Sequence, residues 1–252
     1  MNYFFGIKSQ EFSSELQIPL FQNTNKKHCN LMLYKAKVDN NEWKIEKINT
    51  QKKNRDFYFL KSEDISNSTI FFLASSDEVN NKIYKLKNFN KFTETTPAYR
   101  ANLKLILKNG GFSSYQSEYP FTMMEKKGSI LSSVNLLANK EADKNFIFIK
   151  NIFAEPIVEN FNAYLVNIKK RKIEEKFIIK TNYTNMIELN KSLIKPEIYL
   201  ITKKYLGIPM YVSTKNKHVS FEHTHPPHEY ILSKNKFSKI AELKKEINEI
   251  IV

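Results

Sequence analysis

LMLYKAKVDNNEWKIEKI, residues 31 to 48, decides the fold class. Tyr34, Ala36 and Val38 alternate with Lys35 and Lys37; beyond the polar turn Asp39-Asn40-Asn41, Trp43 and Ile45 alternate with Glu42, Lys44 and Glu46. A period of two sends one set of side chains to one face of a strand, so the stretch predicts a hairpin with an apolar inner face. AYLVNIKKRKIEEKFII, residues 163 to 179, follows the same plan: an apolar strand, a polar turn at 169 to 172, and a Lys/Glu-rich return. The likeness raises a duplicated β unit, although generic hairpin patterning accounts for it about as well.

Further short strand signals lie at Asp56 to Leu60, Thr69 to Leu73, Asn102 to Lys108 and Phe146 to Ile149, rich in β-branched and aromatic residues. Their close spacing favours antiparallel meanders, because parallel neighbours need a crossover of a dozen or more residues. The expected fold is mainly β, an antiparallel β-sandwich or open barrel. At the C-terminus, KFSKIAELKKEINEIIV places Phe237, Ile240, Leu243, Ile247 and Ile250 at spacings of three and four, an amphipathic helix capped by Ser238 or Asn235. Its apolar stripe is expected to cover the sheet that leads into the histidine-rich segment described below. A weaker helix is expected at Val134 to Lys144. KNFNKFTETTP, residues 87 to 97, reads as a linker between an N-terminal β-rich part, 1–96, and a C-terminal one, 97–252, with one continuous domain as the alternative.

Of the 252 residues, 41% are hydrophobic and 13% aromatic, with 19 Phe and 13 Tyr, enough apolar volume for a packed interior and against general disorder. No window approaches the ~18 consecutive apolar residues of a membrane span. The opening MNYFFGIKSQEF lacks the basic-then-apolar pattern of a secretory signal. A single cysteine, Cys29, cannot form an internal disulfide and reads as a small buried hydrophobe. The expected location is the cytoplasm. The net charge of +14 raises nucleic acid as a partner. Only Arg55, Arg100 and Arg171 among the 40 basic residues carry the guanidinium fork that such recognition leans on, and no nucleic-acid signature accompanies the charge. Nucleic-acid binding through a Lys-rich surface is therefore the least favoured alternative.

The segment GIPMYVSTKNKHVSFEHTHPPHEYI, residues 207 to 231, holds four of the five histidines. On a strand, Val219, Phe221 and His223 share one face, and His218, Ser220 and Glu222 the other. If the strand continues to His225, two imidazoles lie about 7 Å apart on one face, and Pro226-Pro227 then turns the chain so that His228 or Glu229 can return to the pair. His223, His225 and Glu229 suit a divalent metal, Zn, Fe or Mn, with open positions for water or substrate. The spacing His223-x-His225-x3-Glu229 resembles the first metal motif of the cupins, which implies a catalytic metal on neighbouring strand positions. That likeness covers about seven residues, and the glycine and later histidine strand of a cupin have no counterpart here. Without a metal, a histidine such as His228 held by Glu222 or Glu229 is a ready general base. A turn-rich polar loop is the structural alternative.

The second unusual stretch, AYRANLKLILKNGGFSSYQSEYPFTMM, spans residues 98 to 124. Gly110-Gly111 predicts a turn with positive φ or a close backbone approach. Arg100, Tyr115, Gln116 and Glu118 are groups that read sugar hydroxyls or anchor an acid, and a plain hairpin is the alternative. Neither a phosphate loop nor a GxSxG elbow occurs. The leading expectation is a β protein with a polar pocket, a metal-dependent enzyme on a small, sugar-like substrate in which His228 and Glu222 move protons. The alternative is a non-catalytic module that binds glycan or protein through that pocket or an aromatic-rich sheet.

Overall fold

The computed structural model describes residues 2–19, 31–48, 56–75, 100–124, 127–223 and 236–251. The first half contains β1 (Asn2–Tyr3), β2 (Phe12–Pro19), β3 (Leu31–Asp39), β4 (Glu42–Lys47), β5 (Phe57–Leu60), β6 (Ile70–Ser75), β7 (Ala101–Leu107) and β8 (Phe112–Ser117). After β9 (Tyr119–Pro120) and a one-turn helix, Phe121–Met124, the second half contains β10 (Leu131–Ser133), β11 (Lys144–Lys150), β12 (Asn160–Asn167), β13 (Lys172–Lys180) and β14 (Thr184–Leu189). It continues with β15 (Ile198–Thr202), β16 (Ile208–Lys215), β17 (His218–His223) and the C-terminal helix Lys236–Ile250.

The strands form four main antiparallel sheets. Sheet A is β4-β3-β6 and sheet B is β5-β2-β7-β8; sheet C is β14-β11-β16-β17 and sheet D is β10-β15-β12-β13. The mainly β, antiparallel expectation and the C-terminal helix hold. The sheets are arranged as a four-bladed, propeller-like ring rather than as the single sandwich or open barrel expected. Alternation shows which face of a hairpin is apolar, but not which sheet will cover it, and here successive strands cross between sheets.

The two halves have one topology. Raising each strand number by nine turns β2–β5, β2–β7, β7–β8, β3–β4 and β3–β6 into β11–β14, β11–β16, β16–β17, β12–β13 and β12–β15. The sixth pairing, β10–β15, answers the bridge between Phe4 and Phe71 beside β6. The two look-alike hairpins, 31 to 48 and 163 to 179, therefore hold equivalent places. A buried polar clamp also recurs. Ser14 on β2 accepts the Ile7 N–H at 2.9 Å and donates to the Ile7 carbonyl at 2.8 Å. Asn145 on β11 likewise accepts the Asn139 N–H and donates to the Asn139 carbonyl, both at 2.9 Å. Each satisfies a loop backbone that leads into the first long strand of its half. The linker expected at 87–97 lies outside the described residues. β7 on its far side pairs with β2 on its near side, Leu16 opposite Leu103, and the repeat changes over between Pro120 and Leu131.

Three cores result. One lies between sheets A and B and takes in Phe146, Phe148, Met210, Val212 and Phe221 from one face of sheet C. The other face of sheet C, with Ile147, Ile149 and Tyr211, packs on Leu165, Ile179 and Leu200 of sheet D. The far face of sheet D is covered by the C-terminal helix, where Ile240, Leu243, Ile247 and Ile250 meet Leu131, Tyr164, Val166 and Ile201. That is a correction: Ile240, Leu243, Ile247 and Ile250 of the stripe pack as expected, but the helix covers sheet D, not the sheet carrying β17. β11 is buried on both faces, which is why its sequence KNFIFIK shows little alternation. Val134 to Lys144 is a second correction: residues 134 to 143 are turns and bends rather than a helix, and Lys144 already belongs to β11. The Asn145 clamp and the Asn139 Oδ1 bond to the Glu141 N–H, 2.9 Å, give that backbone partners incompatible with a helix ladder. Among the described residues no helix is long and apolar enough to cross a membrane.

Candidate functional site

β8 and β17, drawn from the two unusual stretches of sequence, lie side by side. The Tyr115 ring stacks on Phe221 with centroids 4.7 Å apart, and His223 meets it edge-on at 4.8 Å. Burial, with the Glu118 charge second, pushes the Tyr115 phenol well above its usual range. The predicted split of β17 is present: Phe221 is buried, while His218, Ser220 and Glu222 are exposed. Glu222 therefore projects from the opposite face to His223.

The hairpin tips hold the two strands together. Gly111 donates its N–H to the Lys217 carbonyl at 2.7 Å, and a Cβ on Gly110 would stand 2.6 Å from that oxygen. The glycine pair thus marks a close backbone approach, as expected, but its partner is the chain's own β16–β17 turn. Neither glycine has positive φ; in this turn that conformation falls to Asn109, at 63°.

The other predicted contacts separate. Arg100, Gln116 and Glu118 lie on the outer face of sheet B, opposite to Tyr115. Arg100 Nε is 3.2 Å from a Glu118 oxygen, and Arg100 Nη1 donates to Gln116 Oε1 at 3.1 Å. His225, His228, Glu229 and Cys29 lie outside the described residues, so of the proposed metal set only His223 is placed. Among the described residues no three His, Cys, Asp or Glu side chains gather where they could hold a metal ion.

Sequence reasoning missed the rest of that outer face. In register across four strands stand Phe59, Gln17, Asn102 and Gln116. One row along are Glu15, Lys104 and Ser114, and beyond them Ser13, Ile106 and Phe112. Phe59 is 43% exposed and Phe112 61%, with Lys104 Nζ over the Phe112 ring at 4.5 Å and 3.4 Å from Glu15. The available signal was FYFL at 57 to 60, where aromatic residues sit on both faces of an edge strand.

Sequence reasoning also missed Lys150, the last residue of β11, which is fully buried. Its Nζ donates to the Asn67 carbonyl at 3.3 Å and stands 5.6 Å from the centre of the Phe5 ring. Burial draws the ammonium down from 10.5 to about 7. Comparison of the chain with family models, curated proteins and solved structures found no match.

Proposed function

We propose that the chain is a non-catalytic glycan-binding module that takes a neutral oligosaccharide on the outer face of sheet B. One observation carries the reading: Phe59, Gln17, Asn102 and Gln116 stand in register on four adjacent strands and point the same way. A side-chain amide offers donors and an acceptor together, matching hydroxyls that both give and take hydrogen bonds. An aromatic ring beside them covers the apolar C–H face of a sugar. Three strand gaps of about 4.8 Å make a row about 14 Å long, the scale of a short oligosaccharide.

Charge on this face is internally matched, Lys104 with Glu15 and Arg100 with Glu118. That favours an uncharged ligand and disfavours a nucleic acid, which needs a surplus of cations along its backbone. The metal-dependent enzyme reading requires His223, His225 and Glu229 to converge, and it draws on fewer of the described side chains.

Titration calorimetry against a panel of neutral oligosaccharides tests the proposal. Saturable binding is expected, weakened about fivefold by Asn102→Ala or Gln116→Ala, since one lost hydrogen-bonding group is worth about 1 kcal/mol. Phe59→Ala is expected to weaken it as well. No binding, or binding indifferent to all three substitutions, refutes it. Stoichiometric Zn, Fe or Mn that is lost in His223→Ala would favour the enzyme reading instead.

A further inference from the structure

Sheet A presents a different surface. Between its outer face and the segment after β5 lies a cleft of about 340 Å³. Its floor is the β3–β4 hairpin, where Lys37 stands directly opposite Lys44 and Lys35 opposite Glu46. Like charges at directly opposed strand positions repel, so the Lys37–Lys44 pair on a concave surface favours an anion beside it. The local carboxylate does not suffice. Glu46 takes Lys35 at 2.8 Å and reaches Lys44 only at 3.8 Å. Its carboxyl is held below its usual range by the hydrogen bond from Lys35, aided by the charges of Lys44 and Lys37. One carboxylate thus serves three ammonium groups.

The facing wall supplies hydroxyls. Ser66 Oγ lies 2.6 Å from Thr69 Oγ1 and 3.2 Å from Ser68 Oγ. The wall also carries Glu63 and Asp64, the latter accepting the Lys61 N–H at 3.2 Å, while Lys8, the fourth lysine of the cleft, donates to the Ser62 carbonyl at 3.2 Å. Four lysines against Glu46, Glu63 and Asp64 leave a surplus of one positive charge. Lysines on the floor, hydroxyls on the wall and acids nearby suit one compact anionic group and oppose a long polyanion.

We propose that this cleft binds the phosphate or sulfate monoester of a small molecule, with Lys37 and Lys44 as its principal donors. The site shares no residue with the glycan face.

The test is titration of the full chain at low ionic strength with inorganic phosphate, sulfate and glucose 6-phosphate, followed through lysine side-chain NMR signals. Saturable shifts confined to Lys37, Lys44 and their neighbours are expected, with glucose 6-phosphate tighter than free phosphate if an ester is the ligand and equal if the free ion is. Lys37→Ala/Lys44→Ala should weaken binding at least tenfold, while Lys172→Ala on sheet D leaves it unchanged. Without ligand, the double variant should unfold at the same or a higher temperature, since it relieves repulsion. Shifts spread evenly over the surface lysines, or equal affinity in the double variant, overturn the proposal.

Discussion

Lys150 ties stability to pH. An ammonium taken from water into the core favours its neutral form, and one carbonyl at 3.3 Å does not replace the lost solvation. The folded state holds fewer protons than the unfolded chain between pH 7 and 10.5, so stability should rise with pH across that window. Below pH 7 the full cost of burying the charge is present. The shift from 10.5 to about 7 corresponds to roughly 4 to 5 kcal/mol. Denaturant unfolding from pH 7 to 10 should show a rise of that order, and Lys150→Met should raise stability at pH 7 and flatten the slope. An unchanged slope in the variant would assign the pH dependence elsewhere. This residue was illegible in the sequence, because a lysine ending an apolar strand ordinarily lifts its charge into solvent. Here β11 ends beneath the first half, with Asn67 above it.

Elements show where two periods in the sequence lead. The C-terminal helix was legible because three-and-four spacing needs no partner to be recognised. Its partner was not legible, since sheet D offers the same apolar side chains as any other sheet. Ile247 is fully buried in that contact, and Ile247→Ala should cost about 2 to 4 kcal/mol in chemical denaturation, far more than Lys245→Ala on the exposed side. The hairpin tips make a second case. Gly110→Ala would place a methyl group 2.6 Å from the Lys217 carbonyl, so either the β7–β8 turn or the β16–β17 turn must move. A loss of about 1 to 3 kcal/mol is expected, together with altered shielding of Tyr115 and His223 ring signals as their packing loosens. Unaltered ring signals would mean that the tips do not set the register of β8 against β17.

At the scale of the molecule, the halves are equivalent in topology yet not separable in packing. One face of sheet C completes the first core, Trp43 of β4 donates Nε1–H to the Ala154 carbonyl at 3.0 Å, and the Thr184 N–H reaches the Asn67 carbonyl at 2.8 Å. Calorimetry should therefore record one cooperative transition rather than two. Among the described residues the outer face of sheet B is exposed. The hairpins could be read from alternation, and Gln116 and Arg100 stood out in the sequence as polar groups of an unusual stretch. Their neighbours Gln17, Asn102 and Phe59 could not be singled out, because the register brings them together from distant strands, Gln17 and the directly opposed Asn102 being 85 residues apart. The most direct measurement is a backbone and side-chain amide NMR titration with a neutral oligosaccharide selected by calorimetry. The account predicts saturable shifts at Gln17, Phe59, Asn102 and Gln116, with Tyr115 and His223 unmoved. Shifts centred on Tyr115 and His223, with the amide row silent, would contradict it.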